Sequence, residues 1–196
     1  MKFFKTSSMV IMIIVAAGLF FNIKAQAKFS AKNNITMSVS GTSTMHDWVM
    51  KSTTGDCTAT FTEDAKGTLT DVTAFTFTVS SKALKSGKDG MDKNAYKALK
   101  ADKNPTITAT LKSADVIAKD AKNYTIKAVV KLTIAGKTLE TDLIAQAKHI
   151  NDNSYIITGE KKISMKDYGM EPPSFMLGAV KTGNDVNIHF DVVLNK

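Results

Sequence analysis

The feature that most constrains this chain is an alternation of apolar and polar residues that recurs along its length. It is strictest near the end, where Val186, Ile188, Phe190, Val192 and Leu194 take every second position. Successive side chains of a strand point to opposite faces, so a period of two predicts a strand with one buried and one solvated face. Such a strand needs a sheet to pair with, and the sequence therefore predicts an all-β fold.

Seven earlier segments repeat this pattern, each bounded by turn residues. Ala135-Gly136 and Asn151-Asp152-Asn153 have the composition of tight turns between antiparallel strands. The alternation therefore predicts eight strands in all. They cover residues 35–39, 46–61 with a bend at Gly55-Asp56, 72–81, 107–111, 124–134, 139–147, a segment that starts at 155, and 186–194.

A single segment has helical periodicity instead. Met91, Ala95 and Leu99 fall on one face, with lysines opposite them. Asp92 is placed to cap the start of this helix, and Asn104-Pro105 to stop it. The sequence predicts one short helix between the third and fourth strands, packed by its apolar face on the sheet.

Residues 1–27 have the pattern of a secretory signal peptide. Lys2 and Lys5 precede an apolar run at 9–21, which is shorter than the roughly 20 apolar residues that a membrane-spanning helix needs. Ala25-Gln26-Ala27 then places small side chains where signal peptidase requires them. We expect cleavage after Ala27. Residues 28–196 would then form one domain, periplasmic or secreted, with a short leader before the first strand.

Composition excludes several classes of function. All 26 basic residues are lysines scattered along the chain, so the arginine forks and basic clusters of nucleic-acid binding are missing. Transient attraction to an anionic membrane surface stays open. Cys57 is in phase with Ala59 and Phe61, which predicts a small buried core residue and not a catalytic thiol. The three histidines are far apart, so neither a metal site nor a cofactor is expected.

Eight antiparallel strands joined by tight turns leave a sandwich or a closed barrel. The barrel is favoured because the strands are long and closure removes exposed edges. An eight-stranded barrel has room either for its own side chains or for one small ligand. The small inward residues Ala109, Ala128, Ala145, Ala147 and Gly159 favour a cavity, and a filled core is the alternative.

Four motifs, in order, resemble the YceI-like family. Gly41-Thr42-Ser43-Thr44-Met45-His46-Asp47-Trp48 is similar to its G-[TS]-S-x-x-H-x-W opening. Residues 81–101 resemble its strand-to-helix connection, and 104–107 its next strand start, with Asn104 in the place of an aromatic residue. Residues 163–188 resemble its closing segment. The resemblance covers nearly all of the chain after the predicted signal peptide.

This resemblance implies an eight-stranded antiparallel lipocalin-like β-barrel that encloses a long isoprenoid chain, such as a polyprenyl phosphate or a quinone-type lipid. It implies binding without catalysis, and frequent pairing into homodimers. Family members often carry arginine in the helix connection, and this chain has none. An anionic head group would therefore have to be bound by lysine, hydroxyl or backbone amide groups.

The predicted ligand-binding residues are those that alternation or the helical stripe directs inward, together with the connection 168–178. This connection is stiffened by Pro172-Pro173 and is predicted to be a wall or lid of a deep apolar tunnel. Ordinary core packing is the alternative for each residue. The predicted set is Phe75, Phe77, Val79, Met91, Tyr96, Leu99, Ile126, Val130, Leu132, Leu143, Lys161, Met165, Tyr168, Met170, Met176 and Phe190.

Two polar positions carry competing interpretations. Lys161 is in phase with the inward Ile157 and Ile163, and a β-bulge near Gly159 that resets the phase is the favoured explanation. The alternative is that Lys161 binds an anionic head group. His46 beside Asp47 gives a second function hypothesis, an enzyme on an amphiphilic lipid, although a structural hydrogen bond at a strand start is favoured. A structural barrel with a filled core is a third hypothesis.

Overall fold

The computed structural model describes residues 25–196, so most of the predicted signal peptide lies outside the described residues. This part of the chain is all-β with a single α-helix, and the helix lies between the third and fourth predicted strands, as expected. The strands are β1 Ala25–Lys32, β2 Ile35–Ser43, β3 Trp48–Ser52, β4 Asp56–Glu63, β5 Leu69–Ser80, β6 Thr106–Ala118, β7 Asn123–Ile134, β8 Lys137–Asn151, β9 Ser154–Ser164, β10 Ser174–Phe175 and β11 Val180–Asn195, and the helix is α1 Asp89–Ala98.

The antiparallel strands close into a ring of eight, which confirms the predicted barrel. The ring runs β1-β4-β5-β6-β7-β8-β9-β11, and Asn195 of β11 pairs with Ser30 of β1 to complete it. Strand β2, the first strand that the sequence predicts, pairs along β11 between Val192 and Thr182. Strand β3 pairs with β2.

The two strands that begin the ring are each broken near the middle. β1 passes into β2 at Asn33, whose φ is 58°, and β3 passes into β4 at Gly55, the predicted bend. The two breaks lie side by side, because the Asn33 amide donates to the Gly55 carbonyl at 3.0 Å. Beyond the breaks, Lys51 and Lys85 exchange two backbone hydrogen bonds of 2.8 Å, which joins β3 to the segment after β5.

The predicted leader before the first strand is wrong, because β1 occupies it. Ala27, Phe29 and Ala31 of β1 are buried, while Lys28 and Ser30 between them are exposed. The alternation was present in the sequence, but two alanines made it weak and its start coincides with the predicted signal peptide. The predicted cleavage site after Ala27 falls within β1 and stays a prediction.

The ends of α1 also differ from expectation. The helix begins at Asp89, so Asp92 is not its cap; its carboxylate accepts from the Ser86 amide at 2.8 Å and from the Ser86 hydroxyl at 2.6 Å. These bonds hold the pKa of Asp92 below its usual value and brace the loop that leads into the helix. At the other end α1 stops at Ala98, well before Asn104-Pro105, and Lys100 then adopts a φ of 51°.

One end of the barrel, the closed end, is filled by aromatic side chains. Phe29, Phe61 and Tyr155 are fully buried, and Tyr155 meets both phenylalanines edge-on, at 5.2 and 5.0 Å between ring centroids. The Tyr155 hydroxyl donates to Oε1 of Glu63 at 2.8 Å, and the Lys196 ammonium lies 3.7 Å from Oε2 of Glu63. Burial and this carboxylate raise the pKa of Tyr155. The opposite end, with α1, is called the open end below.

Candidate functional site

Two cavities lie inside the barrel. The outer cavity, of about 430 Å³, is at the open end beneath α1, and the inner cavity, of about 130 Å³, lies toward the closed end. Met37, Ile107 and Ile188 line both cavities, and we call these three residues the neck. Ile107 is on β6, four strands around the ring of eight from Ile188 on β11, so the neck spans the barrel.

The inner cavity is lined almost wholly by apolar side chains. The sheet places them there by alternation, and half of the residues predicted to bind the ligand face this space. Within the described residues, Thr141 and Lys161 are the only lining side chains with a hydroxyl or amine group. The predicted residues that line the inner cavity are Phe75, Phe77, Ile126, Val130, Leu132, Leu143, Lys161 and Phe190.

The outer cavity is closed on one side by the helix and on another by the long connection before β11. Met91 and Leu99 of the helical stripe face it, as do Met170, Pro173 and Phe175 of the connection and Met165 shortly before it. The connection 168–178 therefore contributes a wall of this cavity, in the position that the sequence predicted. Polar side chains contribute to the lining as well; they belong to Ser43, His46, Lys88, Asn94 and Thr182.

Three predicted residues line neither cavity. Val79 is buried in the wall of the barrel. The Tyr96 hydroxyl donates to the carbonyls of Lys82 and Leu84, at 3.0 and 2.8 Å, and so latches α1 to the preceding loop. Tyr168 is buried beneath a surface cleft, where burial raises its pKa. Tyr96 lies on α1 but is bound by loop carbonyls, and Tyr168 ends a short 3-10 turn whose direction no periodicity predicts. The predicted side chain of Met176 lies outside what the structure describes.

Sequence reasoning missed most of the wall contributed by β2 and β3. Val39, Trp48 and Met50 line the outer cavity together with Met37 of the neck. The signal was present as alternation in residues 35–39. The glycine of the opening motif gives a further signal, because a Cβ on Gly41 would lie 2.4 Å from Cζ2 of Trp48. Gly41 thus leaves room for the indole, whose Nε1 donates to the Thr42 carbonyl at 3.0 Å.

The predicted bulge near Gly159 is wrong. Strand β9 pairs with β11 without any shift from Ser164 to Ser154, so the phase that directs Lys161 inward is maintained. Gly159 is small for another reason: a Cβ there would lie 2.5 Å from Cζ of Phe190, its cross-strand partner. Lys161 therefore lines the inner cavity, and its ammonium donates to the Asp142 carbonyl at 2.6 Å.

The polar residues of the enzyme hypothesis form a local turn. The Ser43 hydroxyl donates to the His46 carbonyl at 2.7 Å, and Nδ1 of His46 lies 2.9 Å from the backbone carbonyl of Asp47. Cys57 also lines the inner cavity, and burial raises the pKa of its thiol to about 12, so the reactive thiolate is strongly disfavoured. Within residues 25–196 no three metal-ligating side chains cluster. No helix in that range is long and apolar enough to span a membrane.

The chain is similar to known proteins in both sequence and structure. The sequence model of the YceI-like domain matches residues 22–194. No curated protein matches the sequence. A polyisoprenoid binding domain from Saccharophagus degradans, implicated in plant cell wall breakdown, superposes with a TM-score of 0.64 at 9% identity over 87% of this chain and 99% of that one.

Two further solved structures share the fold. BcnA of Burkholderia cenocepacia has a TM-score of 0.64 at 13% identity, over 83% of this chain and 96% of its own. The YceI protein of Campylobacter jejuni has a TM-score of 0.53 at 20% identity, over 72% of this chain and 81% of its own. At these identities the likeness establishes a common fold.

Proposed function

Because this chain belongs to the YceI-like domain family, we propose that it binds a long isoprenoid-type lipid inside its barrel and carries or sequesters it without catalysis. The observation that carries this proposal is the pair of apolar cavities, which adjoin at the neck of Met37, Ile107 and Ile188. A polyprenyl phosphate or a quinone-type lipid has the long apolar chain that such a space suits. The Saccharophagus degradans domain of the same fold is a polyisoprenoid binding domain.

Physical chemistry supports a lipid in this space. Moving each CH₂ group from water into an apolar cavity is favourable by about 0.8 kcal/mol, so a chain that fills both cavities gains many such contributions. The closed end, filled by Phe29, Phe61 and Tyr155, would stop the chain from passing through. A polar group would remain near the polar lining of the outer cavity or near Lys161.

The proposal predicts that the protein purified from its native host carries a lipid. Mass spectrometry of an organic extract is expected to find a prenyl lipid in about stoichiometric amount, as for a ligand enclosed by its site. Extraction of the same host fraction without the protein gives the background. A lipid-free protein whose barrel interior is filled would support the structural hypothesis instead. Turnover of an amphiphile that is lost in His46→Ala would support the enzyme.

We further propose that the protein acts outside the cytoplasm, after cleavage of its signal peptide, and meets a membrane with its open end. Leu177 is fully exposed at a left-handed φ of 56°, and Met45 is 69% exposed. The two loops that hold them are tied together, because the Thr44 hydroxyl donates to the Ala179 carbonyl at 3.3 Å. Exposed apolar side chains beside a cavity opening suit insertion between lipid head groups.

Leu177→Glu is expected to slow lipid transfer between the protein and vesicles about tenfold, because a carboxylate replaces the apolar side chain that would enter the bilayer. Transfer of a fluorescent prenyl lipid measures this rate. Ile117→Glu is the matched control, since Ile117 is 39% exposed but lies on the barrel wall. Equal rates for the two variants would contradict contact through the open end.

A further inference from the structure

The barrel wall has a gap between β8 and β9. These strands pair from Asn151 and Ser154, near the closed end, only as far as Ile144 and Glu160. Beyond that point β8 continues to pair with β7 on its other side, and β9 with β11. A surface cleft of about 390 Å³ lies at this position, and we call it the side cleft.

The side cleft adjoins the inner cavity. Thr141 of β8 and Lys161 of β9 line both spaces, so the wall between them is one layer of side chains. These are also the two residues that bring a hydroxyl and an amine to an otherwise apolar inner cavity. A polar group in an apolar wall is costly unless it has a partner. The polar residues and the gap in the sheet therefore occur at the same place.

The Lys161 ammonium spans the gap. It reaches from β9 to the Asp142 carbonyl of β8, at 2.6 Å, in place of the backbone pairing that is missing there. An ammonium has three N–H donors, and this bond uses one of them. Lys161 can therefore keep its bond to Asp142 while it donates to a second acceptor.

The charges around Lys161 are largely paired. Among the described residues of the side cleft, Glu140 is engaged by Lys112 and Asp185 by Lys162, the latter at 2.8 Å. Asp167 is the other carboxylate of the cleft. Lys161 donates to an uncharged carbonyl. Its positive charge therefore lies at the junction with the inner cavity, where an anionic ligand would complement it.

We propose that the side cleft is a second opening of the barrel, where Lys161 binds an anionic oxygen of an amphiphile whose chain occupies the inner cavity. This rests on the proposed lipid site of the interior. The anion is a phosphate or a carboxylate, since both accept charge-assisted hydrogen bonds from an ammonium. A lipid chain that passes through the barrel wall at this point displaces side chains alone, because the strands that flank the gap are not hydrogen-bonded to each other there.

Lys161→Met tests the proposal with pairs of ligands that share a chain and differ in the head group. Displacement of a fluorescent lipid is measured with farnesyl phosphate and farnesol, and with palmitate and hexadecanol. Wild type is expected to bind the anionic member of at least one pair about tenfold more tightly. The Lys161→Met variant should lose this preference and keep its affinity for the alcohols. The pair that responds identifies the anion.

Lys148→Met is the matched control. Lys148 is an exposed lysine of the neighbouring strand β8 and lines neither the inner cavity nor the side cleft, so its removal should leave the preference unchanged. A preference that survives in Lys161→Met but is lost in Lys88→Met would place the anion at the outer cavity and overturn the proposal. Lys161→Gln keeps an N–H donor for Asp142 and provides the same test if the methionine variant does not fold.

The outcome also separates this proposal from the proposed function. If wild type binds none of the four ligands, the interior lipid site itself is contradicted. If wild type binds the alcohols and acids with equal affinity, or if Lys161→Met retains the preference, the interior site stands and the side opening is overturned.

Discussion

Phe29→Ala is expected to lower the free energy of unfolding by about 3–5 kcal/mol, the range for deleting a large buried aromatic side chain. Phe29 is fully buried, with its ring centroid 5.1 Å from that of Phe61 and 5.2 Å from that of Tyr155. Truncation would leave a cavity in the closed end that rigid neighbouring strands cannot fill. Urea denaturation followed by the fluorescence of Trp48, the single tryptophan, measures the loss.

Lys28→Ala is the matched control for this prediction. Lys28 is adjacent on β1 and exposed, so its truncation should change the free energy of unfolding by less than about 0.5 kcal/mol. A similarly small effect of Phe29→Ala would mean that β1 contributes little to the closed end. The comparison therefore tests the strand that sequence reasoning described as a leader.

Met37→Trp is expected to weaken the binding of long prenyl lipids more than tenfold. Met37 is buried at the neck, and an indole there would separate the inner cavity from the outer one. Each CH₂ group excluded from the inner cavity loses about 0.8 kcal/mol, so exclusion of two already reduces affinity about tenfold. Overpacking should also lower the free energy of unfolding by about 1–3 kcal/mol, so the variant stays folded only if the wild type is more stable than this.

Displacement assays with prenyl alcohols of increasing length measure this effect. Wild type should gain affinity with each added isoprene unit, whereas Met37→Trp should stop gaining once the outer cavity is full. Met45→Trp, which adds an indole at the largely exposed rim, is the control and should follow wild type. A constant gain with length in Met37→Trp would show that the chain does not pass the neck.

The parts of this structure that sequence predicted well are those where one periodicity governs many residues. Alternation located seven of the eight ring strands and missed β1, and it directed residues such as Phe75 and Val130 to the inner cavity. It also gave the correct phase for Lys161. The expectation of a bulge at Gly159 is wrong, because the Phe190 ring that requires a glycine there lies on a strand distant in sequence.

The parts that sequence could not predict depend on backbone that has no period. The sequence predicts Tyr96 and Tyr168 in the pocket, but loop carbonyls bind the Tyr96 hydroxyl, and Tyr168 is buried below a surface cleft. The gap between β8 and β9 is invisible in the sequence, since both strands alternate normally through it. Hydrogen-bond partners, unlike side-chain phase, are fixed only when the sheet has assembled.

On the export route proposed above, the position of β1 has a consequence for the order of events. The proposed scissile bond after Ala27 lies in a paired stretch, with Ala27 opposite Phe61 and Lys28 opposite Thr60. A protease needs an extended backbone that is free of the sheet, so peptidase must act before β1 docks. The ring itself closes between Ser30 and Asn195, which requires nearly the whole chain to have been translocated. Late closure thus leaves a time window in which the signal peptide can be removed and a lipid enclosed.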